Sequence, residues 1–435
     1  MNRTAMSRTE ETRHDEQSVG PLQPLTEDEL DGWLRLPACQ QPAWENSERA
    51  RECRRRLQTL PGLVSSAEVE RLRRLLVQCT TGALTVIQVG HCAEQPLESH
   101  PAAVRRMAGL IDALSGTWQF ITGTPAVRVG RMAGQYAKPR SAPTESVDGC
   151  ELDVFRGHMV NRPGPDAQER RHLPEHMLHC YHSAERVMTE LRRMEGPPHY
   201  RPAVWTSHEA LILDYELALL RRDRAGATLL TSTHWPWIGE RTRQLDGAHV
   251  QLLASISNPV ACKIGPTATP EDIGGLCRAL NPDNVPGRLT LISRMGADVV
   301  GDLLPPLVKV ATDLRCPVLW MCDPMHANTR RHNGVKTRFV CDVRTELRLF
   351  YECVAAAGAI PAGVHLEATP SDVAECVSEG CEVQGDAHHY TTLCDPRLNP
   401  GQALDVVQSA ARTVADRTHE LTPRATVRNW SPAGP

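Results

Sequence analysis

Lysine is nearly missing from this chain. Of 435 residues only four are Lys (Lys138, Lys263, Lys309 and Lys336), although Lys and Arg together number 48. The rest are arginine, as a coding bias toward Arg would leave them. A lysine kept against that bias marks a place where a compact point charge is wanted instead of a planar fork, although chance retention explains any single one equally well. No run of 18 apolar residues occurs, so nothing reads as a membrane span. The polar, charged start lacks the apolar core of a signal peptide. Fifteen cysteines are scattered without a CxxC pair, which argues against a disulfide scaffold and for a reduced, cytoplasmic setting. With a formal net charge of −4, no general attraction to nucleic acid or an acidic membrane surface is expected.

What is present reads as an ordered series. Residues 1 to about 24 are expected to be a disordered arm. Thr26–Glu29 and Ser65–Glu68 are capping boxes that open helices, and the Arg- and Glu-rich segment 47–60 between them is helical. Residues 25–80 thus form an N-terminal helical extension. Eight short β-prone runs follow, at Thr85–Val89, Ala126–Val129, Ala203–Thr206, Leu229–Thr233, Val260–Ile264, Leu289–Ile292, Val318–Met321 and Gly363–Leu366. Most gaps between them hold a helix. Residues about 143–202 are an insertion, helical from about Leu178 to Met194. Eight strands alternating with helices predict an α/β fold, a (β/α)8 TIM barrel over 81–435. An open doubly wound sheet is the alternative, but no GxGxxG follows the first strand.

A barrel carries its chemistry at the carboxyl ends of its strands. Charges that end a buried strand are costly unless they meet a ligand. The stretch His234–Arg243 and Lys263-Ile264-Gly265-Pro266 show this pattern most clearly. Reading off the strand ends gives two sets. Arg131, Lys138, Arg140, Arg241, Lys263 and Arg294 suit phosphate and carboxylate groups. Cys92, His326, Glu367 and Asp395 are a mixed S/N/O set that suits a divalent transition metal. Each residue alone has a bland reading: a buried thiol is usually core, and a strand-end His or Asp usually caps a turn. Convergence at the strand ends raises the functional reading.

At these residues the chain resembles the class II (plant-type) 3-deoxy-D-arabino-heptulosonate 7-phosphate (DAHP) synthases, over about residues 29–400. The motifs are Arg128–Ser141, Trp205–Ala210, His234–Arg243, Lys263–Thr267, Asn281–Asp283 with Arg288–Gly296, Cys322–His326, Val364–Glu367 and Cys394–Asn399. The resemblance implies a metal-dependent condensation of phosphoenolpyruvate with erythrose 4-phosphate, the first step of the shikimate pathway. It implies Cys92, His326, Glu367 and Asp395 as ligands of Mn²⁺ or Co²⁺. Arg131, Glu240, Arg241, Lys263 and Arg294 would hold phosphoenolpyruvate, with Lys263, Glu240 and Arg241 as catalytic groups. Lys138, Arg140 and Ser141 would lie near the second sugar phosphate. A homo-oligomer is implied as well, and a chorismate mutase partner is compatible with it.

The chain also departs from the family pattern. His91 precedes Cys92 where the family usually has Asp, and His158 replaces another Asp. Ala327 and Ala362 stand for Gly, and Ala368-Thr369-Pro370 replaces a Leu-Thr-Gly type run beside Glu367. Changes around ligands alter metal affinity and activity by about 10–100-fold. Two alternatives therefore stand beside a DAHP synthase of primary or secondary metabolism: an amino-DAHP synthase of an aminoshikimate pathway, and a catalytically weak regulatory homologue. Cys394 lies next to Asp395, so if Asp395 and Cys92 share a metal the two thiols are expected to be close enough for a disulfide in oxidised, metal-free protein.

Overall fold

Successive residues of a strand face opposite sides of the sheet, and this alternation decides which side chains reach the site. The computed structural model describes residues 22–147, 149–196, 203–332, 334–378 and 389–421. Eight parallel strands run β1 (Thr85–Gly90), β2 (Ala126–Arg131), β3 (Val204–Thr206), β4 (Trp237–Ile238), β5 (Val260–Ile264), β6 (Leu289–Ser293), β7 (Leu319–Cys322) and β8 (Pro361–Glu367). Their order in the sheet is β3-β2-β1-β8-β7-β6-β5-β4. The ends of this series meet, because Trp237 N–H donates to His208 O and Ala210 N–H to Trp237 O, both at 3.0 Å. The sheet is therefore a closed (β/α)8 barrel, as expected.

The run Leu229–Thr233 is not its fourth strand. Thr228–Leu230 instead forms a hairpin with Leu220–Arg222 through a turn at Gly226 (φ 87°). Asn258 closes the free edge of that hairpin, accepting from Leu230 N–H at 2.9 Å and donating to Leu230 O at 3.0 Å. The barrel strand is the shorter Trp237–Ile238, a few residues on. On the other side of the hairpin, Gln23–Pro24 pairs antiparallel with Leu220–Arg222. The end of the expected arm is thus an edge strand, a position that tolerates proline. Residues 1–21 of that arm lie outside the described residues.

Helices α1 (Glu27–Leu34) and α3 (Ser66–Cys79) begin at the two expected capping boxes, with α2 (Ser47–Gln58) between them. Leu72, Leu76 and Cys79 of α3 pack with Val86, Val127, Leu319 and Ala362 from the strands, so α3 plugs the base of the barrel. The outer helices are α4 (Pro101–Thr122), α5 (Glu175–Glu195), α6 (Leu213–Ala218), α7 (Ala248–Ser255), α8 (Pro270–Leu280), α9 (Val300–Asp313), α10 (Val340–Ala356) and α11 (Pro400–Leu421). The insertion after β2 holds a hairpin, Thr144–Val147 with Cys150–Asp153, and then α5, which also makes the crossover to β3. Among the described residues, no helix is long and apolar enough to cross a membrane.

Alternation now sorts the barrel interior. Val127 and Val129 fill it from β2, Ala261 from β5, Ile292 from β6, and Leu319 and Met321 from β7. Two residues further along each strand, the same face carries Arg131, Lys263, Arg294 and Asp323. On β8 it carries His365 and then Glu367. The interior is apolar at the α3 end and ionic at the other.

Candidate active site

The ionic end opens into a cleft of about 270 Å³. Its lining includes all eight residues expected to meet substrate: Arg131, Lys138, Arg140, Ser141, Glu240, Arg241, Lys263 and Arg294. Cys92, His326 and Asp395 line it too. Glu367, fully buried, lies behind them.

One ligand atom each from Cys92, Glu367 and Asp395 falls within 4.8 Å of the other two. Cys92 Sγ is 3.4 Å from Asp395 Oδ2. His326 joins through Glu367, its Nε2 lying 3.1 Å from Glu367 Oε1. Its other nitrogen, Nδ1, is 2.7 Å from Asp323 Oδ2. Asp323 therefore orients the ring and leaves Nε2 facing the cluster. Burial alone pushes the Glu367 carboxyl up, but His326, Arg338 and Arg131 outweigh it and hold it well below the usual range. Arg338 Nη1 lies 2.6 Å from Glu367 Oε2, and Arg131 Nη2 lies 3.0 Å from Oε1. Asp395 is likewise held low against its burial, chiefly by Lys138 and Arg338. The donor set fits a divalent cation by two observations. It combines a thiol with two carboxylates, and the imidazole of His326, expected as a fourth ligand but outside that group of three, adjoins it. Moreover, the Lys138 ammonium donates to Cys92 Sγ and to Asp395 Oδ2 at once, so a cation is already favoured at that point.

Beside the cluster, Lys263 Nζ lies 2.6 Å from Asp323 Oδ2, 3.5 Å from His326 Nδ1 and 5.6 Å from the centre of the Trp237 ring. Burial pulls its ammonium below the usual lysine range, and Asp323 only partly offsets that. Arg241 is exposed and Arg294 half-buried, both pointing into the cleft. Gly265 makes room for this wall: a Cβ there would lie 2.7 Å from Arg294 Nη1 and 3.0 Å from the Glu240 carboxyl carbon. Glu240 itself pairs with Arg243 at 3.2 Å. Of the four lysines, Lys138 and Lys263 are in the cleft, and Lys336 lines it and pairs with Asp395. Lys309 makes an exposed ion pair with Asp313 one helical turn away.

Several site groups escaped sequence reasoning. Arg338, which clamps Glu367, comes from the hairpin Thr329–His332/Val335–Arg338 after β7, and nothing in its local pattern marks it. Glu209 lines the cleft, and its Oε1 is buried without a hydrogen-bond partner. Burial pushes its carboxyl up, with Lys263, His326 and Arg241 only partly opposing. Its signal was available, since it belongs to the quoted Trp205–Ala210 motif. His365, two residues before Glu367, points into the barrel below the cleft, with Nδ1 2.8 Å from Gln88 Oε1.

A model described as the class-II DAHP synthetase family matches residues 28–198 and 194–411. The chain belongs to the class II DAHP synthetase family. It is 44% identical over 392 residues to a Pseudomonas fluorescens protein named probable phospho-2-dehydro-3-deoxyheptonate aldolase, covering 88% of this chain and 97% of the relative. It is also 35% identical over 455 residues to a phospho-2-dehydro-3-deoxyheptonate aldolase of Mycolicibacterium smegmatis, covering 91% of this chain and 97% of the relative. A solved phospho-2-dehydro-3-deoxyheptonate aldolase from Francisella tularensis superimposes with a TM-score of 0.53 at 14% identity. It covers 84% of this chain and 96% of that one, a likeness of fold.

Proposed function

We propose that the chain condenses phosphoenolpyruvate with erythrose 4-phosphate to DAHP and inorganic phosphate, the activity for which its relatives are named. The observation that carries this reading is one cleft in which a row of cations adjoins a thiol–carboxylate cluster and its neighbouring imidazole. Arg131, Arg241, Lys263 and Arg294 would grip the carboxylate and phosphate of phosphoenolpyruvate, with Glu240 fixing the wall through Arg243. Arg140 and Ser141, on the rim beside Lys138, suit the phosphate of the tetrose.

Cys92, His326, Glu367 and Asp395 would hold Mn²⁺ or Co²⁺. Bound there, the ion supplies Lewis-acid polarisation of the aldehyde oxygen. The protein's own groups do the rest. The cationic wall neutralises the anions and holds C3 of phosphoenolpyruvate against the aldehyde carbon, so that a C–C bond forms between them. Positive character develops at C2 and a water adds there; the C2–O bond to phosphate then breaks, the C2 hydroxyl proton leaving with the phosphate, while the proton that the water lost on adding is returned to the former aldehyde oxygen. Glu209 is the carboxylate suited to take that proton, because burial raises its affinity for one and its Oε1 has no competing partner.

The test is phosphate release from phosphoenolpyruvate with Mn²⁺, with and without the tetrose phosphate, and with and without EDTA. Release should need both substrates and the metal. Metal-loaded protein with no turnover, or release indifferent to the tetrose, contradicts the reading.

A further inference from the structure

The two loops that carry Cys92 and Asp395 come from opposite ends of the barrel's chain path, and one side chain ties them together. His91, between the end of β1 and Cys92, is buried. Arg397 Nη1 lies 3.1 Å from its Nδ1. Arginine can only donate, so Nδ1 must be the bare nitrogen and the proton sits on Nε2, which faces Glu98 Oε1 at 3.6 Å. The imidazole is thereby fixed as a neutral acceptor.

Arg397 is in turn the pin of the second loop. Its Nη2 donates to Glu375 Oε1 at 2.6 Å and its Nε to Oε2 at 3.0 Å. The same Glu375 carboxylate accepts the backbone N–H of Thr391 and Thr392, at 3.1 and 2.8 Å. Thr392 Oγ1 donates to the backbone oxygen of Asp395 at 2.8 Å. A fully buried carboxylate and a nearly buried guanidinium thus fold the loop around Asp395. The Nη1 of that guanidinium reaches the residue next to Cys92.

We propose that His91 is a positioning residue that sets the spacing between Cys92 and Asp395 by accepting a hydrogen bond from Arg397. This rests on the reading of Cys92 and Asp395 as metal ligands. Without an acceptor at this point, a buried cationic N–H loses its partner, which is costly, and the two ligand loops are free to drift apart. The acceptor here is neutral, so it positions the ligands without adding a negative charge beside the cation.

The test is Mn²⁺ titration of the full chain, read by the electron paramagnetic resonance signal of free aquo-Mn²⁺. Asn carries an oxygen where His carries Nδ1, while Leu fills the same space with no acceptor. His91→Asn should bind Mn²⁺ within about threefold of the parent. His91→Leu should bind about 10–100-fold more weakly, with a broadened bound-Mn²⁺ spectrum; His91→Ala replaces it should Leu prevent folding. Equal affinities for the Leu and Asn proteins overturn the positioning role if Cys92→Ser, measured alongside, has lost binding. If Cys92→Ser binds as the parent does, the ligand assignment itself is overturned.

Discussion

Glu209 shows how a single group is set up by its neighbours. Gly239 lies against it so closely that a Cβ there would be 2.0 Å from Glu209 Oε1; only glycine leaves the carboxylate its place. The carboxylate has a buried, unpartnered oxygen in a cleft of cations. Glu209→Gln keeps the shape and removes the proton acceptor. It should lower kcat by about 100-fold or more with Mn²⁺ affinity unchanged, and an unaltered kcat would remove Glu209 from the chemistry. Cys92 gives a second expectation at this scale. Its thiol and that of Cys394 lie close enough to influence one another, raising Cys92 and lowering Cys394. Chelation in air should let dioxygen take two electrons and two protons from the pair and close a disulfide. Thiol titration of denatured protein should then find two fewer thiols than in a reduced control, a difference that Cys394→Ser abolishes. Equal counts in the parent protein would show that the sulfurs do not meet.

Among the elements, β8 is the most constrained. The pairing of β7 with β8 slips between Trp320 and Met321, and Gly363 lies at that irregularity with φ 154°. A Cβ at Gly363 would sit 2.1 Å from Val86 O on β1, a collision with backbone that no rotamer relieves. Gly363→Ala should therefore cost more than about 3 kcal/mol, seen as loss of soluble protein or a large drop in thermal midpoint; a midpoint within a degree of the parent would refute this. The same elements show what the sequence could reveal. Seven apolar runs became barrel strands because burial on both faces leaves a continuous apolar signal. The eighth failed because β propensity says that a segment will pair, not with which sheet. Thr228–Leu230 found a partner a short turn away, and Trp237–Ile238 is too short to advertise itself. The site divides in the same way. Arg131, Lys263 and Glu367 were legible because alternation along a strand carries them to its open end. Arg338, Glu375 and Arg397 act through contacts between segments far apart in sequence, and no local pattern encodes those.

For the molecule as a whole, buried titratable groups of opposite tendency set the dependence of stability on pH. His234 is buried against Trp205, with ring centres 5.1 Å apart, and its Nδ1 accepts Thr206 N–H at 3.0 Å. Burial lowers its pKa from 6.5 to about 4, with Glu68 opposing and Arg192 and Arg71 adding to the effect. His158 is also lowered to about 4, mainly by burial. A histidine depressed on folding contributes stability that is present above pH 6.5 and is lost as pH falls toward 4, because the unfolded chain takes up the proton first. Glu94 and Glu346 behave oppositely. Burial raises each to about 7, so each destabilises the fold at pH 7 and above, and that cost disappears as pH falls toward 4.5. These are four among several such groups: burial also lowers His91, to about 3, and His172, His176 and His249, and raises Glu98 and Glu209, so the two tendencies oppose one another in the profile between pH 6.5 and 5. Removing one depressed histidine should tilt it. His234→Asn keeps an acceptor for Thr206 but cannot be protonated. Relative to the parent, it should gain about 2 kcal/mol between pH 7 and pH 5, at roughly 1.4 kcal/mol per pH unit below 6.5. Thermal midpoints in EDTA, which keeps metal binding out of the comparison, measure this directly. A parent–variant difference that is the same at both pH values would show that His234 does not titrate on unfolding.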